Sequence, residues 1–394
     1  MMTDLSDFHP TPVVIRWLKG LVVLGAGTLV AGMWLAPQQT WANLLLLSLD
    51  LIGLGVGGLL WVALHYVTGA RWSRPLRCVF QALSSVLPVA AVGVATVLVF
   101  RPSLYAWTMP IVHERAESPL HRLWLNRPFF LSRSAIYLAV WLAFAFAFER
   151  ASRRFRGAGT TGARREPVGL SGAFLVAFGI TCWLTSYDWI MSLDSEWTST
   201  IFGVYNFSGL FLSSLAATTL LVVWLRPRSH LNDWVTADQL HDLGTLLFAF
   251  SSFWMYIWFC QYWLIWYANI PEETTYFVQR WRGKWPALFL VNLLLNWGIP
   301  FCVLLFRSAK RNPRILATVA GIILIGRWLD LFLMIFPSQG SAGPAVGVIE
   351  AGLFLGAIGV FLLPVLRTLE KNSLTAGGEA LPCDNIAAPP LAST

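Results

Sequence analysis

Ten apolar segments, each about as long as a lipid bilayer is thick, constrain the fold of this chain most strongly. They fall near residues 15–36, 42–67, 77–100, 129–149, 168–192, 199–225, 243–269, 285–306, 315–336 and 344–366. A helix of about 20 residues crosses the hydrocarbon core, and lipid tolerates only backbones that satisfy their own hydrogen bonds. The sequence therefore predicts an all-α integral membrane protein with about ten transmembrane helices, forming one membrane domain over residues 1–372.

The overall composition agrees with this prediction. Hydrophobic residues make up 56% of the 394 residues and charged residues only 12%, which no soluble domain of this size shows. The net charge is +8, but the basic residues lie between the apolar segments and form no groove-reading patch, so nucleic acid is not a predicted partner. Residues 373–394 are small, polar and proline-rich, and they are predicted to form a disordered cytoplasmic tail.

The distribution of lysine and arginine predicts the orientation of the chain. With both termini in the cytoplasm, nineteen of these residues lie on the cytoplasmic side, eight lie on the other side, and Arg327 lies within a segment. This asymmetry follows the positive-inside rule and predicts a multi-pass protein of a bacterial inner membrane. The first segment also resembles a signal peptide, although its long leading region and poorly formed cleavage site favour its retention.

Two sequence features bear on cofactors and helix shape. The cysteines, Cys78, Cys182, Cys260, Cys302 and Cys383, form no CxxC pair, and His65 is the histidine that lies clearly within a segment. No iron-sulfur, haem or other metal site is therefore predicted on this chain. Pro88 and Pro300 interrupt two segments, which are predicted to be kinked spans whose freed carbonyls neighbouring helices satisfy.

Several ionisable residues lie inside or at the ends of the apolar segments. A charge at the centre of a bilayer costs about 2.5–3.5 kcal/mol on insertion scales, so such residues are expected to face protein or water. Arg327 and Asp330 are three residues apart and share a helix face, as either a structural ion pair or part of a proton path. An outer and an inner group, bridged by Thr218, Thr219 and Ser252, would suit proton movement. The candidates are Asp50, His65, Glu149, Asp188, His241, Asp242, Glu272, Glu273, Arg327, Asp330 and Glu350.

Two longer stretches resemble a known family. SYDWIMSLDSEWTSTIFGVYNFSG (186–209) and LGTLLFAFSSFWMYIWFCQYWLIWYANIPEETTYFVQRWRGKW (243–285) are similar to the ActF membrane subunits of bacterial alternative complex III, a quinol:cytochrome c or high-potential acceptor oxidoreductase. Those subunits are themselves similar to the NrfD and polysulfide-reductase membrane subunits. The resemblance implies that eight helices form two four-helix bundles related by an inverted repeat.

The resemblance also implies partners and cofactors. The expected partners are an ActC-like paralogue, an iron-sulfur subunit, multihaem c-type cytochrome subunits and membrane lipid, with haem c and iron-sulfur clusters held by the partner subunits. For this chain a proton path and an assembly surface are expected, with quinol oxidised mainly at the paralogue, because no histidine lies in the outer half of any segment to accept a proton from quinol. Quinone binding stays open, with Asp50 and Asp188 as weak candidates. A stand-alone secondary transporter and a purely structural scaffold are the alternative functions.

Overall fold

The computed structural model describes residues 10–70, 72–73, 76–109, 119–157, 167–194, 197–228, 235–340, 343–344 and 347–374. Within these ranges the chain is helical and has no strand, and ten helices are long and apolar enough to cross a membrane. The all-α, multi-pass prediction is confirmed. The predicted tail lies outside the described residues apart from positions 373 and 374, which end the last helix.

The ten membrane-length helices are numbered α1 to α10 in chain order. They are α1 Pro12–Leu35, α2 Pro37–Thr68, α3 Arg77–Phe100, α4 Arg127–Gly157, α5 Val168–Leu193, α6 Phe202–Leu225, α7 Ala237–Ala268, α8 Trp285–Leu304, α9 Pro313–Ile335 and α10 Val348–Leu374. Three shorter helices lie between them, at Pro119–Trp124, Pro271–Arg280 and Arg307–Arg311. Short 3₁₀ turns cover Pro102–Leu104, Ala106–Thr108, Arg226–Arg228 and Pro337–Gln339.

Three of the long helices contain irregular turns. A 3₁₀ turn at Ser84–Val86 precedes Pro88 in α3, and π-helical turns occupy Ser186–Ile190 in α5 and Leu294–Gly298 in α8. Proline at position 300 cannot donate a hydrogen bond to the carbonyl of Asn296. The hydroxyl of Ser251 on α7 donates to that carbonyl instead, at 2.6 Å. A neighbouring helix therefore satisfies the freed group, as the sequence predicts.

Eight of the helices form two groups of four. Helices α2 to α5 pack around one centre and α6 to α9 around a second, and α2 contacts α6 and α9 across the boundary. Glycines allow close approach at this boundary, because a Cβ added at Gly57 would lie 2.3 Å from Cβ of Ser214. Helix α2 is consequently the most buried of the ten, and it joins the two bundles.

Corresponding helices of the two bundles run in the same direction across the membrane. Gly53 of α2 faces Leu210 of α6, and Gly57 faces Ser214 four residues later, so α2 and α6 run parallel. The inverted repeat implied by the family resemblance is therefore wrong for this chain. Each bundle has four crossings, an even number, so the second bundle starts on the same side as the first. We call the side at which α5 and α9 end the distal face, and the opposite side the proximal face.

Helices α1 and α10 form an antiparallel pair outside the two bundles. Gly25 and Gly356 meet so closely that a Cβ on either would lie 2.5 Å from the other's Cα, and Thr28 packs against Gly352. Such contacts between small residues are a common basis of helix association in lipid. Trp17 and Trp34, near the two ends of α1, are exposed, as expected for aromatic residues at the two membrane interfaces.

The predicted orientation, with the distal face in the periplasm and both termini in the cytoplasm, stays a prediction. Two of the eight basic residues assigned to the distal side are buried in the protein, because Arg133 and Arg280 are 7% and 1% exposed. These two arginines have structural partners, which are described below. The remaining asymmetry still favours the same orientation.

Candidate functional site

Asp330 joins all four helices of the second bundle. Its Oδ1 accepts hydrogen bonds from the hydroxyl of Tyr205 on α6 and, at 3.0 Å, from the amide of Asn292 on α8. Its Oδ2 accepts from Arg327 at 2.9 Å and, more weakly, from the indole of Trp254 on α7 at 3.4 Å. All four of these partners donate to the carboxylate. Asp330 is buried and lies in the distal half of α9.

Arg327 connects this cluster to the boundary between the bundles. One guanidinium nitrogen donates to Asp330, and the other terminal nitrogen donates to Oδ1 of Asn206 at 2.6 Å. The side chain fits against Gly209, where a Cβ would lie 2.3 Å from Nη1. Asp50 on α2 also interacts electrostatically with Arg327. Arg327 therefore lies near two carboxylates, of which one is hydrogen-bonded to it.

Asp50 differs from the other buried carboxylates. It makes none of the hydrogen bonds found within the described ranges, and it is half-buried, whereas every other residue from position 45 to position 63 of α2 is buried. Its accessible surface lies in the middle of the most buried helix. Asp50 can therefore gain or lose a proton without breaking a hydrogen bond of the kind that holds Asp330.

Asp188 forms the corresponding cluster in the first bundle. Arg133 on α4 donates to both of its carboxylate oxygens, at 3.1 and 2.9 Å, and the Tyr137 hydroxyl donates at 3.0 Å. The indole of Trp124 donates to Oδ1 at 3.0 Å, and the Arg133 guanidinium lies 4.0 Å from the centre of the Trp124 ring. Such two-pronged charged hydrogen bonds are strong and fix geometry. Asp188 lies in the π-helical turn of α5 and is fully buried.

Hydrogen bonds run from the cluster around Asp330 to the turn that contains Asp188. Asn206, which accepts from Arg327, donates its amide to Oγ of Ser186 at 2.9 Å. Ser186 begins the π-helical turn that contains Asp188. The connection Asp330–Arg327–Asn206–Ser186 thus runs from the second bundle to the turn that carries the acid of the first. We call these residues, together with Asp50, Arg133 and Asp188, the polar layer.

Two cavities adjoin the polar layer. One of about 30 Å³ lies between the bundles, with Gly53, Asn206 and Arg327 among its lining residues, which is space for about two water molecules. The other, of about 450 Å³, lies toward the distal face and is bordered by Asp188. Its other lining residues are Leu123, Trp124, Leu125, Tyr187, Met191, Ser192, Asp194, Trp197 and Thr198.

An aromatic layer separates the polar layer from the proximal half of the protein. Trp61 stacks on Phe80 at a centroid distance of 5.3 Å and on Phe211 at 4.7 Å, and Phe211 lies 4.2 Å from Phe250. These rings come from α2, α3, α6 and α7, so they span both bundles. The sequence predicts that Thr218 and Thr219 bridge the inner and outer groups. Their hydroxyls instead donate to carbonyls of their own helix.

No protein-family model matches the chain, and no curated protein matches it in sequence. Function must therefore be inferred from the residues and their geometry. Within the described ranges, no three His, Cys, Asp or Glu side chains are grouped so that they could hold a metal ion.

Glu350 lies in a separate buried site on the distal side. Its Oε1 accepts from the amides of Gln39 at 2.6 Å and Asn43 at 2.8 Å, both on α2, and its Oε2 accepts from the backbone N–H of Gly347 at 2.8 Å. The last contact satisfies a donor just before α10 begins. Glu350 thus fastens α10 to α2 and lies apart from the polar layer, although the sequence groups it with Asp330.

The candidates on the proximal side do not form a second cluster. Glu149 is exposed and pairs with Arg153 one helical turn away. His241 and Asp242 are partly exposed, and Nδ1 of His241 lies 3.9 Å from Oδ1 of Asp242. His65 is buried, and its Nδ1 lies 2.8 Å from the hydroxyl of Ser73. These positions are as the sequence predicts in depth, but they do not adjoin the polar layer.

The pair Glu272 and Glu273 begins the short helix Pro271–Arg280 at the distal face. Acidic residues in a first turn interact favourably with the helix dipole. Trp197 donates its indole N–H to the carbonyl of Glu273 at 3.0 Å and stacks on Tyr276. The two carboxylates therefore lie at the edge of the second bundle, beside the helix that covers its distal end.

Arg280 anchors that covering helix. It is buried, it donates to the carbonyls of Leu333 at 2.8 Å and Met334 at 3.2 Å near the end of α9, and it also donates to Tyr276. A cation suits the carbonyl end of a helix. Burial nevertheless lowers the pKa of Arg280 from its ordinary value.

Sequence reasoning missed several residues of the polar layer. Arg133 lies inside its own predicted segment at 129–149, yet the sequence interpretation counts it as a loop charge. A basic residue within a membrane-length segment was the signal that could have identified it as a partner of a buried acid. Tyr205, Asn206 and Ser186 gave no comparable signal, because hydroxyls and amides are common in such helices as packing contacts.

Proposed function

We propose that this chain is an integral membrane subunit of a quinol:acceptor oxidoreductase resembling alternative complex III, and that its polar layer exchanges protons with the distal face. The observation that carries this proposal is the hydrogen-bonded connection from Asp330 through Arg327 and Asn206 to Ser186, in the turn that also contains Asp188. Asp50 lies near Arg327 and is free of hydrogen bonds within the described ranges. Ionisable residues inside a membrane commonly mark proton or ion pathways.

The proposed path runs from the distal cavity inward. The cavity of about 450 Å³ is bordered by Asp188. The path continues through Ser186, in the same π-helical turn, to Asn206, which is hydrogen-bonded to Ser186. The cavity of about 30 Å³ then lies beside Arg327. Asp50 is the carrier in this path, because Asp330 and Asp188 are each held by several donors. The aromatic layer favours a path that opens to one face only. Oxidation of a quinol releases protons, so a one-sided path suits that reaction.

Asp50→Asn tests this function in the assembled complex. The variant should purify with the haem-containing partners in normal amount, while quinol-dependent reduction of the acceptor and proton release fall tenfold or more, because an amide cannot carry the proton. Proton release is measured with a pH indicator in reconstituted vesicles. Asp50→Glu should retain most turnover, and the exposed Glu149→Gln should be neutral.

Two results would contradict this function. An Asp50→Asn complex with normal turnover and normal proton release would remove Asp50 as the carrier. Purification of the tagged chain without any haem-containing subunit would favour the stand-alone transporter. A complex that assembles normally and loses nothing in any polar-layer variant would favour the purely structural scaffold.

Quinone binding is a second candidate function, favoured by the larger cavity. Its volume of about 450 Å³ lies within the usual range for small-molecule sites, and its wall combines Trp124, Met191 and Trp197 with the acids Asp188 and Asp194. Met191→Trp should fill this space and weaken the binding of a quinol-analogue inhibitor to the purified complex about tenfold. The lipid-facing Leu290→Trp is the control, and unchanged inhibitor binding in Met191→Trp would exclude this site.

A further inference from the structure

A small cavity lies in the second bundle, beneath the helix Pro271–Arg280. Its volume is about 10 Å³, close to the smallest space that holds one water molecule. Tyr205, Gln261, Tyr276, Arg280 and Asp330 are among its lining residues. The wall is therefore far more polar than a packing defect between apolar helices would be.

Gln261 gives an independent indication of what the cavity contains. The residue is 2% exposed, and its Nε2 has no hydrogen-bond partner in the described part of the chain. A buried amide N–H without a partner is costly, and in native proteins such groups are commonly satisfied by internal water. Gln261 lies on α7, on the same helix as Trp254, which donates to Asp330.

We propose that this cavity is a binding site for one structural water molecule, which accepts a hydrogen bond from Nε2 of Gln261 and donates to the Asp330 carboxylate. Tyr276, which lines the same cavity, offers its hydroxyl as a further partner. Three polar partners are typical of a buried water. Gln261 acts as a positioning residue, because it holds the water and not the carboxylate itself.

The water extends the polar layer toward the distal face. The side chain of Asp330 otherwise accepts hydrogen bonds from Tyr205, Asn292, Arg327 and Trp254 among the described residues. Through the water it also contacts Tyr276, which packs between Trp197 and Arg280 in the covering helix. The second bundle thereby has its own hydrogen-bonded connection to the covering helix, independent of the larger cavity beside the first bundle. This connection does not depend on which complex contains the chain.

Gln261→Leu distinguishes a bound water from an unpaired amide by the sign of a stability change. If Nε2 is unpaired, an apolar side chain of similar size removes a buried polar group and raises the Tm of the purified protein. If Nε2 holds a water, the substitution also removes the hydrogen bond that this water donates to Asp330, and the Tm is unchanged or falls by a few degrees. We expect the second result. Gln279→Leu, at an exposed position of the covering helix, is the matched control.

A density map of the wild-type protein provides the second measurement. We expect one peak within hydrogen-bond distance of Nε2 of Gln261 and of the Asp330 carboxylate, and no peak there in Gln261→Leu. A higher Tm for Gln261→Leu than for wild type would overturn the proposal. So would an empty cavity in a map that resolves other buried water molecules.

Discussion

Replacing Arg327 with methionine should destabilise the protein by about 3–5 kcal/mol, the usual cost of leaving a buried charge without its partner. The substitution removes the cation hydrogen-bonded to Asp330 and leaves Asn206 without its donor. Asp50 loses its electrostatic partner in the same step. The expected result is a large loss of monodisperse protein after solubilisation, with a lower unfolding midpoint for what remains.

Two further variants separate the lost ion pair from a general effect of losing an arginine. Arg327→Met combined with Asp330→Asn should be more stable than Arg327→Met alone, because the second change removes the unpaired charge. Arg153→Met breaks an exposed pair with Glu149 and should change stability by no more than about 0.5 kcal/mol. A single Arg327→Met variant as stable as wild type would show that this buried ion pair does not stabilise the fold.

Gly58→Leu should also disrupt the fold, by preventing α2 from packing against α3. A Cβ at Gly58 would lie 2.6 Å from the carbonyl oxygen of Phe80 and 2.6 Å from Cβ of Leu83. The first of these atoms belongs to the backbone, so it cannot move aside without shifting the helix. Overpacking of this kind costs about 1–3 kcal/mol, and the backbone contact places Gly58→Leu at the upper end.

Gly27→Leu on α1 is the matched control for this substitution. A Cβ at Gly27 would have no atom within 4 Å, and leucine has a higher helix propensity than glycine. We therefore expect neutral or slightly increased stability for Gly27→Leu and a reduced unfolding midpoint for Gly58→Leu. Equal stability of the two variants would mean that α2 and α3 can separate without cost.

The membrane-length helices could be predicted because lipid imposes a simple requirement on each of them separately. An apolar segment of sufficient length is a local property, and the predicted and observed bounds agree within about five residues except at three ends. Helix α7 begins at Ala237 and not near 243, α4 ends at Gly157 and not near 149, and α10 ends at Leu374 and not near 366. Residues 237–242 of α7 are mostly polar, and a capping box formed by Thr236 and Gln239 starts the helix there. That extension lies beyond the apolar segment, so hydropathy alone does not register it.

The partners of the buried acids could not be predicted in the same way. Arg327 and Asp330 share a helix, so their spacing indicates a pair, and the structure places their charged atoms 2.9 Å apart. Arg133 and Asp188 are on different helices and meet only because α4 and α5 pack with a particular register. A π-helical turn sets the direction of the Asp188 side chain, and no residue in SYDWI predicts such a turn. Partners that depend on packing are not encoded in any local pattern.

The aromatic layer also determines where an applied voltage would fall within this protein. Asp50 precedes Trp61 by eleven residues on α2, which is about 16 Å along a helix. If water reaches the polar layer from the distal face, that half of the protein conducts and carries little of the electric field. The stacked rings around Trp61 and the apolar half behind them then carry most of it. Moving a charge across the full field requires about 2.3 kcal/mol per 100 mV. A proton that reaches Asp50 from the distal side would cross only a small part of that field, so protonation of Asp50 would be nearly independent of membrane voltage.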